Sequence, residues 1–332
     1  MLDATLNLFR AIGEETRLRI MLLLVRGELT VSEITQILGQ SQPRVSRHLK
    51  ILADAGLVER YREGSWMFYR ASAPSAESED ALRAILNNLN ASQDRVISRD
   101  RDRFAQSRKA RADVAAAYFE KNAAEWDRVR RLHLPEADIE SRLREVVGGE
   151  RVETFVDLGA GTGRMLELFA DLYETGLGID LSREMLSIAR ANLEEAGVRH
   201  AQVRHGDLFA PPIDQGTADL VCIHQVLHFL AEPGAAVLEA AKLLKPGGRM
   251  IISDFAPHEM EFLREEHAHR RLGFSDNEVN GWCAAGSLTP VDVRTLSPGD
   301  RNGGKITVKI WVYAASASIR QLNARKSVER AS

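Results

Sequence analysis

The 332 residues include two cysteines, Cys222 and Cys283. Two are too few for a disulfide framework or a cysteine-rich zinc module, and a reducing compartment suits such a chain best. Each reads as an ordinary buried thiol. No apolar run approaches the roughly 20 residues that span a bilayer, and the opening MLDATLNLFR lacks the apolar stretch of a signal peptide. The expected location is the cytoplasm, with no membrane partner. Charge of one sign is also lacking: 44 Lys and Arg stand against 47 Asp and Glu, a net charge of -3. That excludes a surface that is basic everywhere but leaves room for a local basic helix. With 24 glycines, 10 prolines, 44% hydrophobic and 27% charged residues, collagen-like, low-complexity and wholly disordered chains are excluded. The length is about twice that of a usual domain, so two domains or one large one are expected.

Residues 4 to 55 read as short helices in quick succession: Leu6 to Ile12, Thr16 to Leu24, Val31 to Leu38 and Gln42 to Ala53. Gly13, Gly27, Gly39 and Gly56 punctuate them where a helix needs a left-handed residue or a break. LVERYR and SWMFYRA then flank Glu63-Gly64, a hairpin signal. Helices followed by a hairpin predict a winged helix-turn-helix over residues 1–76. Residues 77–111 predict a linker or dimerisation helix whose apolar Leu82, Ile85, Leu86, Leu89, Val96, Ile97 and Phe104 suit packing on a partner or between domains, a solvated linker helix being the alternative.

In Ser41-Gln-Pro-Arg-Val-Ser-Arg-His-Leu-Lys, Ser41 suits an N-cap that accepts a hydrogen bond, and Pro43 is tolerated in the first turn. At about 100° per residue, Val45, Leu49 and Leu52 form one stripe while Pro43, Ser46, Arg47 and Lys50 point away. No acid interrupts the second face from Leu38 to Ala53. Such a helix can enter a major groove, with Arg47 presenting a bidentate fork to guanine and Arg44, Lys50 and the wing's Arg62 available to phosphates. Ser41, Gln42, Ser46 and His48 complete the candidate DNA-contacting set, and double-stranded operator DNA is the expected partner. A solvated charged face explains three cations in isolation. Here a short helix, the turn at Gly39 and the hairpin frame them. His48, at the edge of the stripe, suits a packed or phosphate-bonded imidazole rather than a metal ligand.

PRVSRHLKILADAGLVERYREGSWMFYR resembles the recognition helix and wing of the ArsR family of dimeric bacterial repressors, over roughly residues 5 to 75. The resemblance implies a homodimer. Members of that family often sense metals through a Cys-x-Cys pair in the third helix or through His and Asp on the last. This chain has Glu28-Leu-Thr-Val-Ser-Glu-Ile there, with no histidine between His48 and His133, so neither metal site is expected.

From residue 152 strands and helices alternate, as in a parallel sheet covered on both faces: VETFVDL, TGLGID, HAQVRHGD, TADLVCIH and GGRMIISDF, then TPVDVRTL and KITVKIWVYAA as a closing hairpin. This domain is expected over 112–315, before a basic tail, 316–332, expected to be disordered. Asp157, Gly159, Gly161, Thr162 and Gly163 lie in VDLGAGTG, which follows a strand and opens a helix. Glycines there permit a sharp turn and close approach of a ligand to the backbone. Asp180 ends the next strand, the spacing at which an acid meets ribose hydroxyls. A dinucleotide enzyme would fit that much. Three details favour S-adenosylmethionine (SAM) instead: the G-x-G-x-G spacing, a second acid at Asp207 ending the third strand, and the turn Lys245-Pro-Gly-Gly248 into the fifth.

Together these resemble the class I SAM-dependent methyltransferases from about Ala115 to Ala314, most nearly the ubiquinone-biosynthesis type of small-molecule enzyme. The fold implied is a Rossmann-like α/β domain with a seven-stranded sheet, so the whole is a multidomain α+β chain. By that resemblance the methionine end meets Gly159, Gly161 and Thr162, the ribose Asp180, and the adenine Leu181, Asp207 and Leu208. His224 faces the sulfonium, and Tyr118, Phe119, Trp126 and Asp127 lie in a lid. SAM or S-adenosylhomocysteine (SAH) is the expected cofactor, without a metal.

Methyl transfer is an in-line displacement, and a base is needed only for a protonated acceptor. His224 and His228, four apart, are the candidate bases and would share a face if helical; Tyr118, His267 and His269 are further candidates. No Asn/Asp-Pro-Pro-Tyr run, no Pro-Cys nucleophile and no cysteine set for arsenite is present. His258, Glu261, Glu265 and His269 would line one helix face, as a cation site or as a charge-paired surface. Ser275-Asp-Asn-Glu278 reads as a capping box. The expectation is a DNA-binding regulator whose methyltransferase-like domain binds SAM or SAH and alters operator affinity. The alternative is an active methyltransferase with the helix-turn-helix as an autoregulatory or targeting module.

Overall fold

The computed structural model describes residues 2–27, 29–63, 66–72, 76–91, 94–122, 136–297 and 306–316. The chain divides into two compact units, Met1–Val114 and Ala115–Ser332.

The first unit holds α1 (Leu2–Ile12), α2 (Glu15–Leu24), β1 (Leu29–Thr30), α3 (Val31–Leu38), α4 (Gln42–Asp54), β2 (Val58–Glu63), β3 (Trp66–Ala71), α5 (Ala76–Ala91) and most of α6 (Arg95–Asn122), whose last turns lie beyond Val114. Thr30 opens α3 with a capping box, its hydroxyl taking the Glu33 N–H while the Glu33 carboxylate takes the Thr30 N–H at 2.8 Å. Gly39 ends α3 in the left-handed region at φ 65°, a conformation glycine adopts without Cβ strain, and so sets the turn into α4. The hairpin β2–β3 pairs antiparallel from Val58↔Ala71 to Glu63↔Trp66, and β1 adds a third strand against β3. Ile20, Met21, Ile34, Leu49, Leu52 and Leu57 fill the core between them.

Two differences from the sequence reading stand out. Ser41 is the N-cap of α4, yet its side chain makes no cap hydrogen bond. The stretch after the hairpin is two helices rather than one, and the second starts where Asp94 accepts the N–H groups of Val96 and Ile97 at 2.8 and 3.0 Å. Leu82, Leu86 and Phe104 are buried in this unit's own core. The Arg19 guanidinium on α2 grips Asp100 on α6 through two bonds of 2.6 and 2.9 Å, both side chains buried, and also donates to the Leu38 carbonyl. Arg103 donates to the Ile37 carbonyl at 3.2 Å. Thus α6 holds the end of α3 just before the turn.

In the second unit a seven-stranded sheet has the order β6-β5-β4-β7-β8-β10-β9. The strands are β4 (Val152–Leu158), β5 (Tyr173–Asp180), β6 (Ala201–His205), β7 (Ala218–His224), β8 (Leu244–Phe255), β9 (Leu288–Leu296) and β10 (Val308–Ala315). β4 to β8 pair in parallel, and β10 runs antiparallel between β8 and β9. The helices are α7 (Glu136–Val147), α8 (Arg164–Leu168), α9 (Arg183–Glu195), α10 (Pro233–Leu243), α11 (Phe262–Glu266) and α12 (Asp276–Ala285). Successive strand residues enter opposite cores, as a period of two requires. Phe155, Cys222, Ile251 and Ile310 pack on one side. Val156, Val221, Ile252 and Trp311 pack on the other. This is why β7 reads as a continuous apolar run, covered on both faces. Among the described residues no helix is long and apolar enough to cross a membrane. The expected disordered tail lies, from residue 317 on, outside the described residues.

Candidate functional site

On α4, Val45, Leu49 and Leu52 are buried, which turns the other face outward. Ser41, Gln42, Arg44, Ser46, Arg47 and Lys50 are exposed along it, and Arg62 is exposed on β2. Arg44 leans on the N-terminus of α2, 3.7 Å from the Glu14 carboxylate and within reach of the Thr16 hydroxyl. Of the two readings of His48, the structure shows the packed imidazole. His48 is packed inward with Nδ1 3.5 Å from Glu14, and burial pushes its imidazole below the ordinary range against the pull of that carboxylate.

In the second unit β4 delivers the chain to Gly159 and Gly161, both with positive φ (78° and 51°), and Gly163 (φ 84°) caps α8. A Cβ on Gly159 would meet Val226 at 2.4 Å, and one on Gly163 would meet Ala189 at 3.2 Å, so both glycines let neighbouring segments close on the hairpin. Asp180, at the tip of β5, accepts the Gly161 N–H and the Ser182 N–H, each at 2.8 Å. Burial pushes its carboxyl above the ordinary range, opposed by those N–H groups and by His205. The Leu181 N–H bonds it as well, so of a carboxylate's roughly four lone-pair sites about one remains for a ribose hydroxyl. Leu181 beside it is 48% exposed, an apolar surface for a flat ring.

These groups lie at the carboxyl ends of β4 and β5. Sheet order reverses between β4 and β7, and the crevice at such a switch point is where open α/β sheets bind ligands. The hairpin, the acceptor and the apolar shelf fit a nucleoside with a polar tail. Other predicted residues are placed differently. Asp157 is buried within β4, where its charge helps raise Tyr173 and Cys222, and Thr162 is buried under the loop with its carbonyl accepting from Asn192. Leu208 is buried in the core. Asp207 is exposed, and one of its oxygens takes the Phe209 N–H at 2.9 Å, so it also shapes its own turn.

His224 and His228 share no helical face, because His224 is the last residue of strand β7 and His228 lies in a 3-10 turn, Leu227–Phe229. His224 sits at the strand tip beside Ser253 of β8. His228 is 2% exposed, and its Nδ1 lies 2.8 Å from Asp254, which is fully buried and also takes the His228 and Phe255 N–H groups. Asp254 escaped the sequence reading. Its position at the carboxyl end of a parallel strand was the available signal.

His258, Glu261, Glu265 and His269 do not line one helix face, as either a cation site or a charge-paired surface would need: the helix is only Phe262–Glu266, with Glu265 exposed and His269 turned inward, its ring tilted against that of His228 at 4.1 Å. Among the described residues no group of three or more His, Cys, Asp or Glu is arranged to hold a metal ion. Ser275 and Glu278 do form the capping box of α12. Of the lid residues, Tyr118 and Phe119 fall in the last turns of α6, and Trp126 and Asp127 lie outside the described residues.

A winged helix-turn-helix and a class I methyltransferase fold thus occupy one chain. Residues 14–60 match the bacterial regulatory protein, arsR family, and residues 156–252 match a methyltransferase domain. The arsenical resistance operon repressor of Escherichia coli (strain K12) is 46% identical over 68 residues, 20% of this chain and 58% of that protein. The transcriptional repressor SdpR of Bacillus subtilis (strain 168) is 33% identical over 84 residues, 25% of this chain and 91% of that one. The chain belongs to the arsR family through its first unit and carries a methyltransferase domain in its second.

An arsenite methyltransferase of Aquipseudomonas alcaligenes is 31% identical over 146 residues, 40% of this chain and 39% of that enzyme. The chain thus spans little more than half of the repressor from Escherichia coli and less of this enzyme. A chain from the complex of the Haloferax volcanii Trm112 methyltransferase activator with a methyltransferase shares the fold, with TM-score 0.50 and 22% identity over 60% of this chain and 97% of that one.

Proposed function

We propose that this chain is a dimeric, cytoplasmic transcriptional regulator whose methyltransferase unit binds SAM or SAH and thereby changes the affinity of α4 for operator DNA. The observation that carries the reading is the pairing on one chain of the outward cationic face of α4 with a nucleoside-shaped crevice at Gly159–Gly163 and Asp180. Gly159 and Gly161 would lie against the methionine end, Asp180 would accept a ribose hydroxyl, and Leu181 and the exposed Asp207 would meet the adenine. Arg47 would read a base edge while Arg44, Lys50 and Arg62 meet phosphates.

A coupling of about 1 to 3 kcal/mol between the two sites gives a 5- to 150-fold change in operator affinity. Calorimetric titration of SAM and SAH into the full chain, followed by titration of a duplex selected from random DNA with and without saturating nucleoside, tests it. The expected result is micromolar or tighter nucleoside binding and a shifted DNA affinity. Equal DNA affinity in all conditions overturns the coupling.

Methyl transfer to a small molecule is the second reading, favoured by the His228–Asp254 pair beside the crevice. The relative named for arsenite does not carry its substrate to this chain. Arsenite calls for soft thiolates, whereas Cys222 and Cys283 are both fully buried and burial pushes both thiols up, Cys283 to about 12. Turnover of methyl-labelled SAM with hydroxyl and amine acceptors decides between the readings.

A further inference from the structure

Five of the nine histidines fall between residues 224 and 269, and three of them gather around one buried acid. His228 is fixed from several directions. Its Nδ1 faces Asp254 Oδ1 at 2.8 Å, and its own N–H reaches Oδ2 at 3.3 Å. Its carbonyl accepts the N–H groups of Arg270 and Arg271 at 2.8 and 3.1 Å. The ring lies between Phe229 (4.1 Å), Phe255 (4.8 Å) and His269 (4.1 Å). Asp254 is 0% exposed, and among the described residues the His228 ring, the His228 N–H and the Phe255 N–H, the last at 2.8 Å, donate to it. A carboxylate on Nδ1 fixes the neutral ring as the Nδ1–H tautomer and leaves Nε2 as a bare base. Among the described residues Nε2 makes no hydrogen bond of its own.

The position of this pair matters as much as its chemistry. Val226, two residues before His228, packs onto Gly159 of the hairpin. His224, at the tip of β7, is level with Ser253, the residue before Asp254. The pair therefore sits on the same carboxyl edge of the sheet as the crevice, on the β7–β8 side and away from Asp180.

We propose that His228 Nε2 is the proton acceptor of a methyl-acceptor subsite in this unit, with Asp254 as its positioning residue, for small acceptors whose nucleophile carries an O–H or N–H. The inference rests on the methyl-transfer reading. The acceptor's lone pair forms the bond to the sulfonium methyl, the C–S electron pair stays on sulfur as the thioether, and the acceptor's proton passes to Nε2. The imidazolium so formed is paired with the Asp254 carboxylate. His258 adds no competing charge, since burial beside His228 holds its imidazole down near 4, against the pull of Asp254 and Glu261. Among the described residues His269, its ring tilted against that of His228 at 4.1 Å, and Arg264, beside His258, are further titratable and charged groups near the pair.

The test uses the full chain and His228→Asn, whose amide nitrogen keeps the donor to Asp254 and deletes Nε2. Asp254→Asn is the second variant. Nitrogen-15 imidazole spectra of the ligand-free protein are expected to show His228 as the Nδ1–H tautomer, and an Nε2–H tautomer overturns the proposal. Calorimetry with SAH is expected to give the wild-type affinity in both variants, which also shows that they fold.

With methyl-labelled SAM and a panel of phenols, alcohols and amines, His228→Asn is expected to lose at least 100-fold in kcat. Asp254→Asn is expected to retain part of the rate with its acidic pH limb displaced. An unchanged kcat in His228→Asn overturns the proposal, as does absence of transfer by a wild-type chain that binds SAM, and the regulatory reading survives either result. Absence of SAM and SAH binding overturns the nucleoside crevice itself.

Discussion

The two units build their candidate sites in opposite ways. On α4 the candidate DNA-contacting side chains belong to one run of ten residues, Ser41 to Lys50, and the helical period alone sorts Val45 and Leu49 inward from Arg47 and Lys50. In the second unit Gly161, Asp180, His228 and Asp254 are spread over more than 90 residues and reach one edge of the sheet only because β4, β5, β7 and β8 run parallel. A local site survives as long as its helix does. A site assembled from strand tips depends on sheet order and on the loops that lock each tip.

That contrast can be broken most severely at the buried ion pair of the first unit. Asp100→Ala strands the Arg19 guanidinium in the core and is expected to cost about 3 to 5 kcal/mol of that unit's stability. Urea denaturation read through DNA binding should show it, with SAH affinity retained. Gly159→Ala forces a Cβ into Val226 at a positive φ, and a loss of about 1 to 3 kcal/mol in SAH affinity or in stability of the second unit is expected by calorimetry. DNA affinity without nucleoside should not change.

Arg47→Ala is expected to weaken specific operator binding by about 1 to 3 kcal/mol and leave SAH affinity untouched, measured by fluorescence anisotropy. The smallest effect concerns acidity. Because burial raises the Asp180 carboxyl, its ionised form is lost on acidification sooner than an exposed aspartate's. Nucleoside affinity should therefore fall as the pH drops toward the carboxylate range, and Asp180→Asn should flatten that dependence.

The same contrast explains what was legible in the sequence. The boundaries of α3 and α4 and the strand β4 follow from period, caps and glycines, all of them local. The split between α5 and α6 was not legible, since the apolar period runs on through Asp94 and only its cap geometry marks the start. His48 reads from spacing as a packed or a phosphate-bonded imidazole, and its neighbour Glu14, 34 residues earlier, follows only from the packing of α2 on α4. His228 was visible as a titratable residue. Its helical partnership with His224 was wrong because β7 ends and a 3-10 turn intervenes, and Asp254 lies on a neighbouring strand that no period connects to it.

Both thiols of the chain sit in the second unit, Cys222 inside β7 and Cys283 on the inner face of α12, each wholly enclosed. The native protein should therefore ignore iodoacetamide and mild oxidants, and each alkylation event would time an excursion in which that unit opens. The chain carries its own stopwatch for the methyltransferase half, which leaves the DNA-facing half unlabelled.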